Sequence, residues 1–260
     1  MDIQITSVDR AERFCNIFQH IKVFTDNVNI TFDSAQMYIQ TMDSSHVSVV
    51  EIKLPKEWFD VYHYNTEGTT ILGVTASTLF KVLNTRDKCQ TIQLVHTDEN
   101  DKLGIHFFSD NPSVFDKHFE IPLMNIEDDL LAIPDMESDV DMTLPSGNFA
   151  SIVNHLMNFS DTAEFCCTGE NVQVISNGTE VGSMVVDVKH NDLVHYAIKE
   201  DTELKASFSL HRLYHICMYN KLAKEVTLHI TQNYPMKVTY QLDMPNAFMC
   251  FFLAPKIDEM

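Results

Sequence analysis

The sequence predicts an α+β protein of two similar domains, and three observations predict it. Four windows carry apolar residues at helical spacing, alternating runs broken by turn residues lie between them, and an acidic stretch holding a proline divides the chain near its middle. The helical windows begin at about 8, 75, 146 and 209, a nearly even spacing that marks one supersecondary unit repeated four times.

The first window, about 8–22, sets Val8, Ala11, Cys15, Phe18 and Ile21 on one face. The second, about 75–88, follows "TAST" and groups Leu79, Val82 and Leu83. After it, "TIQLVHTDENDKLGIHFF" reads as a hairpin. Next comes "LMNIEDDLLAIPDMESDVD", with Pro134 inside, which reads as a linker. The expected division is therefore an N-terminal domain over 1–122, a connector over 123–140 and a C-terminal domain over 141–260. The third window, about 146–160, opens at "PSGN" and places Phe149, Ile152, Val153 and Leu156 together. "AEFCCTGENVQVISNG" forms the next hairpin. The fourth window, about 209–224, has a stripe of Leu213, Ile216 and Cys217, followed by the hairpin "VTLHITQNYPMKVTYQL".

Composition narrows the function classes. The chain has 260 residues, 45% of them apolar, with 17 Phe and 8 Tyr, enough to bury a substantial core and too much for a disordered protein. No apolar window reaches the length of a membrane span, and "MDIQITSVDR" lacks the basic start of a signal peptide, so an intracellular protein is expected. Six cysteines stand without a CxxC pair and read as buried thiols. Adjacent Cys166 and Cys167 would point to opposite faces of a strand, a poor arrangement for a shared metal. His211 and His215 share a helix face, but no Glu follows His211 as in HExxH. Asp128 and Asp129 beside Glu127 read as a solvated acidic linker. No metal and no cofactor are expected.

The net charge of −19 argues at first against nucleic acid, yet the average hides a segregation. The four helical windows hold nine of the 18 Lys and Arg (Arg10, Arg13, Lys22, Lys81, Arg86, Lys88, Arg212, Lys221, Lys224) and three of the 37 acids (Asp9, Glu12, Asp87). Helix propensity does not explain the bias, because Glu suits a helix as well as Lys does. If the helices share one surface, that surface is positive and the remainder negative, a distribution that holds a polyanion in one place and repels it elsewhere. His211 and His215 would add charge to that surface on protonation.

The stretch "MDSSHV" places Asp43, Ser44, Ser45 and His46 together at the mouth of an alternating segment. A catalytic triad normally converges from distant chain positions, and no Gly-x-Ser-x-Gly elbow occurs, so neither hydrolysis nor any other catalysis is expected.

"QTMDSSHVSVVEI", "LLAIPD", "LPSGNFASI", "VTL" with "YPMKVTYQL", and the C-terminal "FFLAPKIDEM" occur in the order found in the proliferating cell nuclear antigen family, the sliding clamps of DNA replication, and the chain resembles that family throughout its length. The resemblance implies two clamp domains, each with two helices backed by antiparallel sheet. It also implies a head-to-tail homotrimeric ring around duplex DNA that serves polymerase processivity, replication and repair in the nucleus. The DNA-facing residues would be Arg10, Arg13, Lys22, Lys81, Arg86, Lys88, His211, Arg212, His215 and Lys221. A pocket for partner peptides would be built from Met42, His46, Val47 and Val49, from Leu131, Ile133 and Pro134, from Tyr234 and Pro235, and from Phe252, Ala254, Pro255, Lys256 and Ile257. Its occupants would be a DNA polymerase, a clamp loader and other proteins carrying a Gln-x-x-aliphatic-x-x-aromatic-aromatic motif, whose anchors suit an apolar cavity.

By the same resemblance, subunits would join through edge strands at about 113–121 and 183–189, with Pro122 shortening the first. Two departures bear on function. The third helical window has no Lys or Arg, where family members carry arginines at the positions of Ser151 and Asn154, and Gly169 stands where the family has a ubiquitin-modified lysine. Two alternatives stay open: a subunit of a heterotrimeric checkpoint-type clamp, and a clamp-fold scaffold that binds peptides but holds DNA weakly.

Overall fold

A computed structural model of the chain describes residues 1–97, 101–127, 130–134 and 136–256. The chain folds as two compact units. The first comprises Met1–Ser44, Glu51–Leu130 and Met244–Ala247; the second comprises Ser45–Val50, Leu131–Asp243 and Phe248–Met260.

The elements run, in chain order, β1 (Asp2–Ile5), α1 (Val8–Phe24), β2 (Asn27–Phe32), β3 (Gln36–Met42), β4 (Ser48–Pro55), β5 (Val61–His63), β6 (Thr70–Thr75), α2 (Ala76–Leu83), β7 (Thr91–Val95), β8 (Lys102–Phe108) and β9 (Lys117–Pro122). They continue with β10 (Val140–Pro145), α3 (Ser146–Leu156), β11 (Thr162–Cys167), β12 (Val172–Gly178), β13 (Gly182–Val188), β14 (His195–Ile198), β15 (Leu204–Ser209), α4 (Leu210–Cys217), β16 (Glu225–Ile230), β17 (Met236–Gln241) and β18 (Phe248–Leu253). The second series repeats the first element for element. Each helix follows a strand and leads into an antiparallel meander, which is the fourfold rhythm of the sequence, and the architecture is the expected α+β.

In the first unit one sheet has the order β5-β1-β7-β8-β9, and a second group runs β4-β3-β2-β6. In the second unit one sheet is β13-β12-β11-β15 and the other group runs β14-β10-β16-β17-β18. All three hairpins read from the sequence form, as β7–β8, β11–β12 and β16–β17. Strict alternation explains their faces: in β4 Ser48, Val50, Ile52 and Leu54 turn inward, and in β10 Val140, Met142 and Leu144 do so. The first core centres on Phe14, Phe18 and Trp58; the second holds Phe149, Phe165, Phe208 and Phe251. No described helix is long and apolar enough to cross a membrane.

The helices differ from the sequence expectation in two respects. The buried stripe of α1 is Ala11, Phe14, Ile17, Phe18 and Ile21, whereas Val8 is exposed and Cys15 only half-buried. Val8 is the first residue of the helix, beside an N-cap where Ser7 Oγ accepts from Arg10 N and Asp60 Oδ2 accepts from Thr6 N at 2.6 Å and Ser7 N at 3.1 Å. Burial alone would raise the Asp60 carboxyl; those N–H donors, with Arg10 nearby, bring it below its ordinary value.

The other three helices end with their apolar stripes, at Leu83, Leu156 and Cys217, short of the windows that run to about 88, 160 and 224, and polar side chains take carbonyls of the last turns. Thr85 Oγ1 donates to Val82 O at the end of α2, Asn158 Nδ2 donates to Asn154 O and His155 O after α3, and Asn220 Nδ2 donates to Cys217 O after α4. Arg86, Lys88, Lys221 and Lys224 consequently sit in turns beyond α2 and α4 rather than on helices.

Sheet edges decide what the fold leaves open. β5 has three residues and β14 four. β6 is covered where Met124 bridges Gly73, with Asn29 Nδ2 donating to Ile126 O at 3.0 Å. A Cβ at Gly73 would lie 2.2 Å from Met124 O, so this approach requires glycine. β15 is covered by Gln232, which exchanges two hydrogen bonds with Lys205, and by Lys256 N donating to Ser207 O at 2.7 Å. Among the described residues, the longer edges without such cover are β9, with six residues, and β13, with seven.

The Leu123 N–H bonds Asp101 O, and the register from there places Pro122 at an outward-facing position of β9. The proline therefore costs the β8 ladder nothing and removes one donor from the open edge.

Candidate nucleic-acid and partner interfaces

α1 packs against α2 in the first unit and α3 against α4 in the second. The candidate DNA-facing residues divide by what already holds them. Arg10 Nη1 donates to Trp58 O at 2.8 Å and its guanidinium lies 5.8 Å from the Trp58 ring centroid, so this arginine braces the start of α1. Arg13 is half-buried. Arg86 Nη1 donates to the carbonyls of Asp87, Lys88 and Gln90 and ties the turn after α2. Arg212 Nη2 donates to Ser45 Oγ in the loop before β4.

Lys22 is exposed on α1, its Nζ 3.8 Å from the Phe80 ring centroid. Lys81, Lys88 and Lys221 are exposed and unpaired among the described residues. His211 is exposed and His215 half-buried, with ring centroids 4.4 Å apart. Burial, then His211 and Arg212, push His215 below the usual histidine range. On α3, Ser151, Asn154 and His155 face solvent, and the helix holds no Lys or Arg.

Of the candidate peptide-pocket residues, Met42 ends β3 in the first unit and the others belong to the second. Val47 O accepts from Ala254 N at 3.0 Å, so the "MDSSHV" loop and the C-terminal tail come together. His46 is exposed and has a left-handed backbone, φ 55°. Val47 is more than one-third exposed, and Val49 and Phe252 are half-buried. Phe252 pairs with Lys237 across β17–β18, and the ammonium of Lys237 lies 5.8 Å from its ring centroid. The β16–β17 turn presents Tyr234 and Pro235, both exposed. Ala254 and Pro255 are half-buried and Lys256 exposed, its Nζ donating to Thr162 Oγ1 at 2.7 Å. Leu131 and Pro134 are exposed and Ile133 half-buried. Ile257 lies outside the described residues, as do Asp128 and Asp129.

The same loop bears on catalysis: Asp43 is 2% exposed while Ser44, Ser45 and His46 face solvent, so the acid and the base occupy opposite environments. The sequence reading did not single out Phe115, 86% exposed just before β9, or Val181 and Val185, exposed at and beside β13. An aromatic inside the polar turn "DNPSVFDK" was the available signal for the first.

A family model described as "Proliferating cell nuclear antigen, N-terminal domain" matches residues 6–130, and one described as "Proliferating cell nuclear antigen, C-terminal domain" matches residues 132–257. Among curated proteins, the chain is 28% identical over 266 residues to Proliferating cell nuclear antigen 1 of Plasmodium falciparum, covering 97% of this chain and 96% of the relative. It is 28% identical over 262 residues to Proliferating cell nuclear antigen of Chaetomium thermophilum, covering 97% of each. Fold and matches together define the class, a sliding clamp of DNA replication and repair. The chain belongs to the proliferating cell nuclear antigen family.

Proposed function

We propose that three copies of this chain close head to tail into a ring that encircles duplex DNA, tethers a polymerase and carries partner proteins on its outer pocket. One observation carries the ring: each copy keeps two long uncovered edges, β9 in one unit and β13 in the other, with Phe115, Val181 and Val185 exposed at or beside them. Two different edges pairing between copies form a heterologous contact, which closes when the rotation permits. Exposed apolar side chains at open strand edges would otherwise invite uncontrolled pairing.

On the inner wall, Lys22, Lys81, Lys88 and Lys221 are the readiest phosphate contacts, because they are exposed whereas Arg10, Arg86 and Arg212 already hold the protein's own atoms. Contacts of that kind neutralise phosphate without reading bases, so the ring slides. It performs no catalysis, in line with the scaffold role of the family, and it acts in the nucleus, where replication clamps of nucleated cells work. The pocket takes the Gln-x-x-aliphatic-x-x-aromatic-aromatic motif of polymerase and clamp loader. A second reading, a peptide scaffold with weakened DNA contact, is favoured by the uncharged solvent face of α3.

Salt and pH titrations of duplex binding separate the two readings. Each phosphate neutralised contributes about −0.9 to the slope of log affinity against log salt. With about two contacts per chain, and so about six per ring, the clamp reading expects several times that slope at pH 8; a flat response supports the scaffold. His215 is neutral at pH 8 and gains charge only as pH falls through its lowered range, below that of an ordinary histidine, so affinity should rise and the slope steepen as pH falls below about 6. Changing His211→Gln with His215→Gln should remove that rise and leave the pH 8 affinity in place.

A further inference from the structure

On the solvent face of the first unit's five-stranded sheet, His106 of β8 stands opposite His118 of the open strand β9. The Leu123–Asp101 hydrogen bond and the register make this a non-hydrogen-bonded antiparallel pair, the kind that brings opposed side chains closest. The ring centroids are 4.6 Å apart. Beside His106, the Val95 side chain fills the space over Gly104, where an added Cβ would lie 2.5 Å from Val95 Cγ2 and 3.7 Å from His106 Nε2, so an apolar wall flanks the imidazole on that side. Glu120 is the cross-strand partner of Gly104 on the same face, held by Lys102 at 2.5 Å in a pair about half exposed on both sides. On the other flank Asp2 accepts from Gln93 Nε2 at 2.9 Å and lies close enough to His106 to favour positive charge there.

We propose that His106 and His118 form a two-histidine chelate for a borderline divalent ion of the zinc, nickel and copper class, held between the two imidazoles on the solvent face of the sheet. Neutral imidazoles are the preferred nitrogen ligands of such ions. Burial and the neighbouring His118 hold His106 below the usual histidine range, against the pull of Asp2, so its lone pair is available at neutral pH. Among the described residues no group of three or more His, Cys, Asp or Glu could hold an ion. The two imidazoles are therefore the protein ligands and water fills the rest, while Glu120 stays with Lys102. The proposal rests on one chain and does not depend on the ring.

Calorimetric titration of the full-length protein with zinc at pH 7.5 tests it, with the same titration of His118→Gln and of His211→Gln/His215→Gln. The α4 double variant is included because its two histidines are also a close pair, with ring centroids 4.4 Å apart. Expected are about one ion per chain that persists in the α4 variant, and about tenfold or more weaker binding in His118→Gln at an unchanged thermal transition without metal. Zinc affinity unaltered in His118→Gln, or zinc uptake lost entirely in the α4 variant, would overturn the assignment. His118 is exposed, so its substitution leaves the fold in place.

Discussion

Phe115→Asp combined with Val185→Asp is expected to yield a folded chain that no longer assembles. Both side chains are exposed in the single chain, Phe115 at 86% and Val185 at 49%, so neither contributes packing that the fold requires. In a closed ring they would be covered. Losing a buried aromatic anchor typically costs about 2 kcal/mol or more, and placing a carboxylate where an apolar surface should dock adds to that. Association at each seam should weaken on the order of a hundredfold or more, since every 1.4 kcal/mol is about tenfold. Sedimentation should report the mass of one copy, with far-ultraviolet circular dichroism matching the parent protein. A double variant that keeps the parental mass would place the seam away from β9 and β13.

The second large effect concerns the pocket. A peptide carrying the Gln-x-x-aliphatic-x-x-aromatic-aromatic motif should bind the parent protein, and Ile133→Ala with Pro255→Ala should weaken it about tenfold or more, since truncating anchors at the centre of such contacts costs about 1–3 kcal/mol. Neither residue is deeply buried, so stability should change little. Fluorescence anisotropy of the labelled peptide measures the effect. Unaltered affinity would move the docking surface elsewhere, away from the connector and the tail that Val47 O meets through Ala254 N.

Much of this was legible in the chain because two periodicities carry it. Hairpins such as "VTLHITQNYPMKVTYQL" alternate without interruption, and the four helices begin where the apolar spacing begins, at Val8, Ala76, Ser146 and Leu210. Helix ends were not legible. The windows extend past Leu83 and Cys217, where the stripes stop; Thr85 and Asn220 take carbonyls of the last turns and the Arg86 guanidinium ties the turn after α2, and periodicity does not register such local bonds.

The sequence also gathered nine cations into the helical windows without showing which ones the fold consumes. Arg10 bonds Trp58, 48 residues away, and Arg212 bonds Ser45, 167 residues away; both partnerships are tertiary. The His106 and His118 pair depends on strand register, and Phe115 on which edge the sheet leaves uncovered. The candidate pocket was legible only as a resemblance, since its parts lie in four separate stretches with no common period.

Light scattering of the parent protein, alone and after incubation with a clamp loader, ATP and either circular or linear duplex, tests the central claim most directly. The account predicts three times the single-chain mass of 29.8 kDa in solution, with rings retained on circles and lost from the ends of linear duplex. A persistent single-chain mass, or equal retention on circles and open ends, would contradict it.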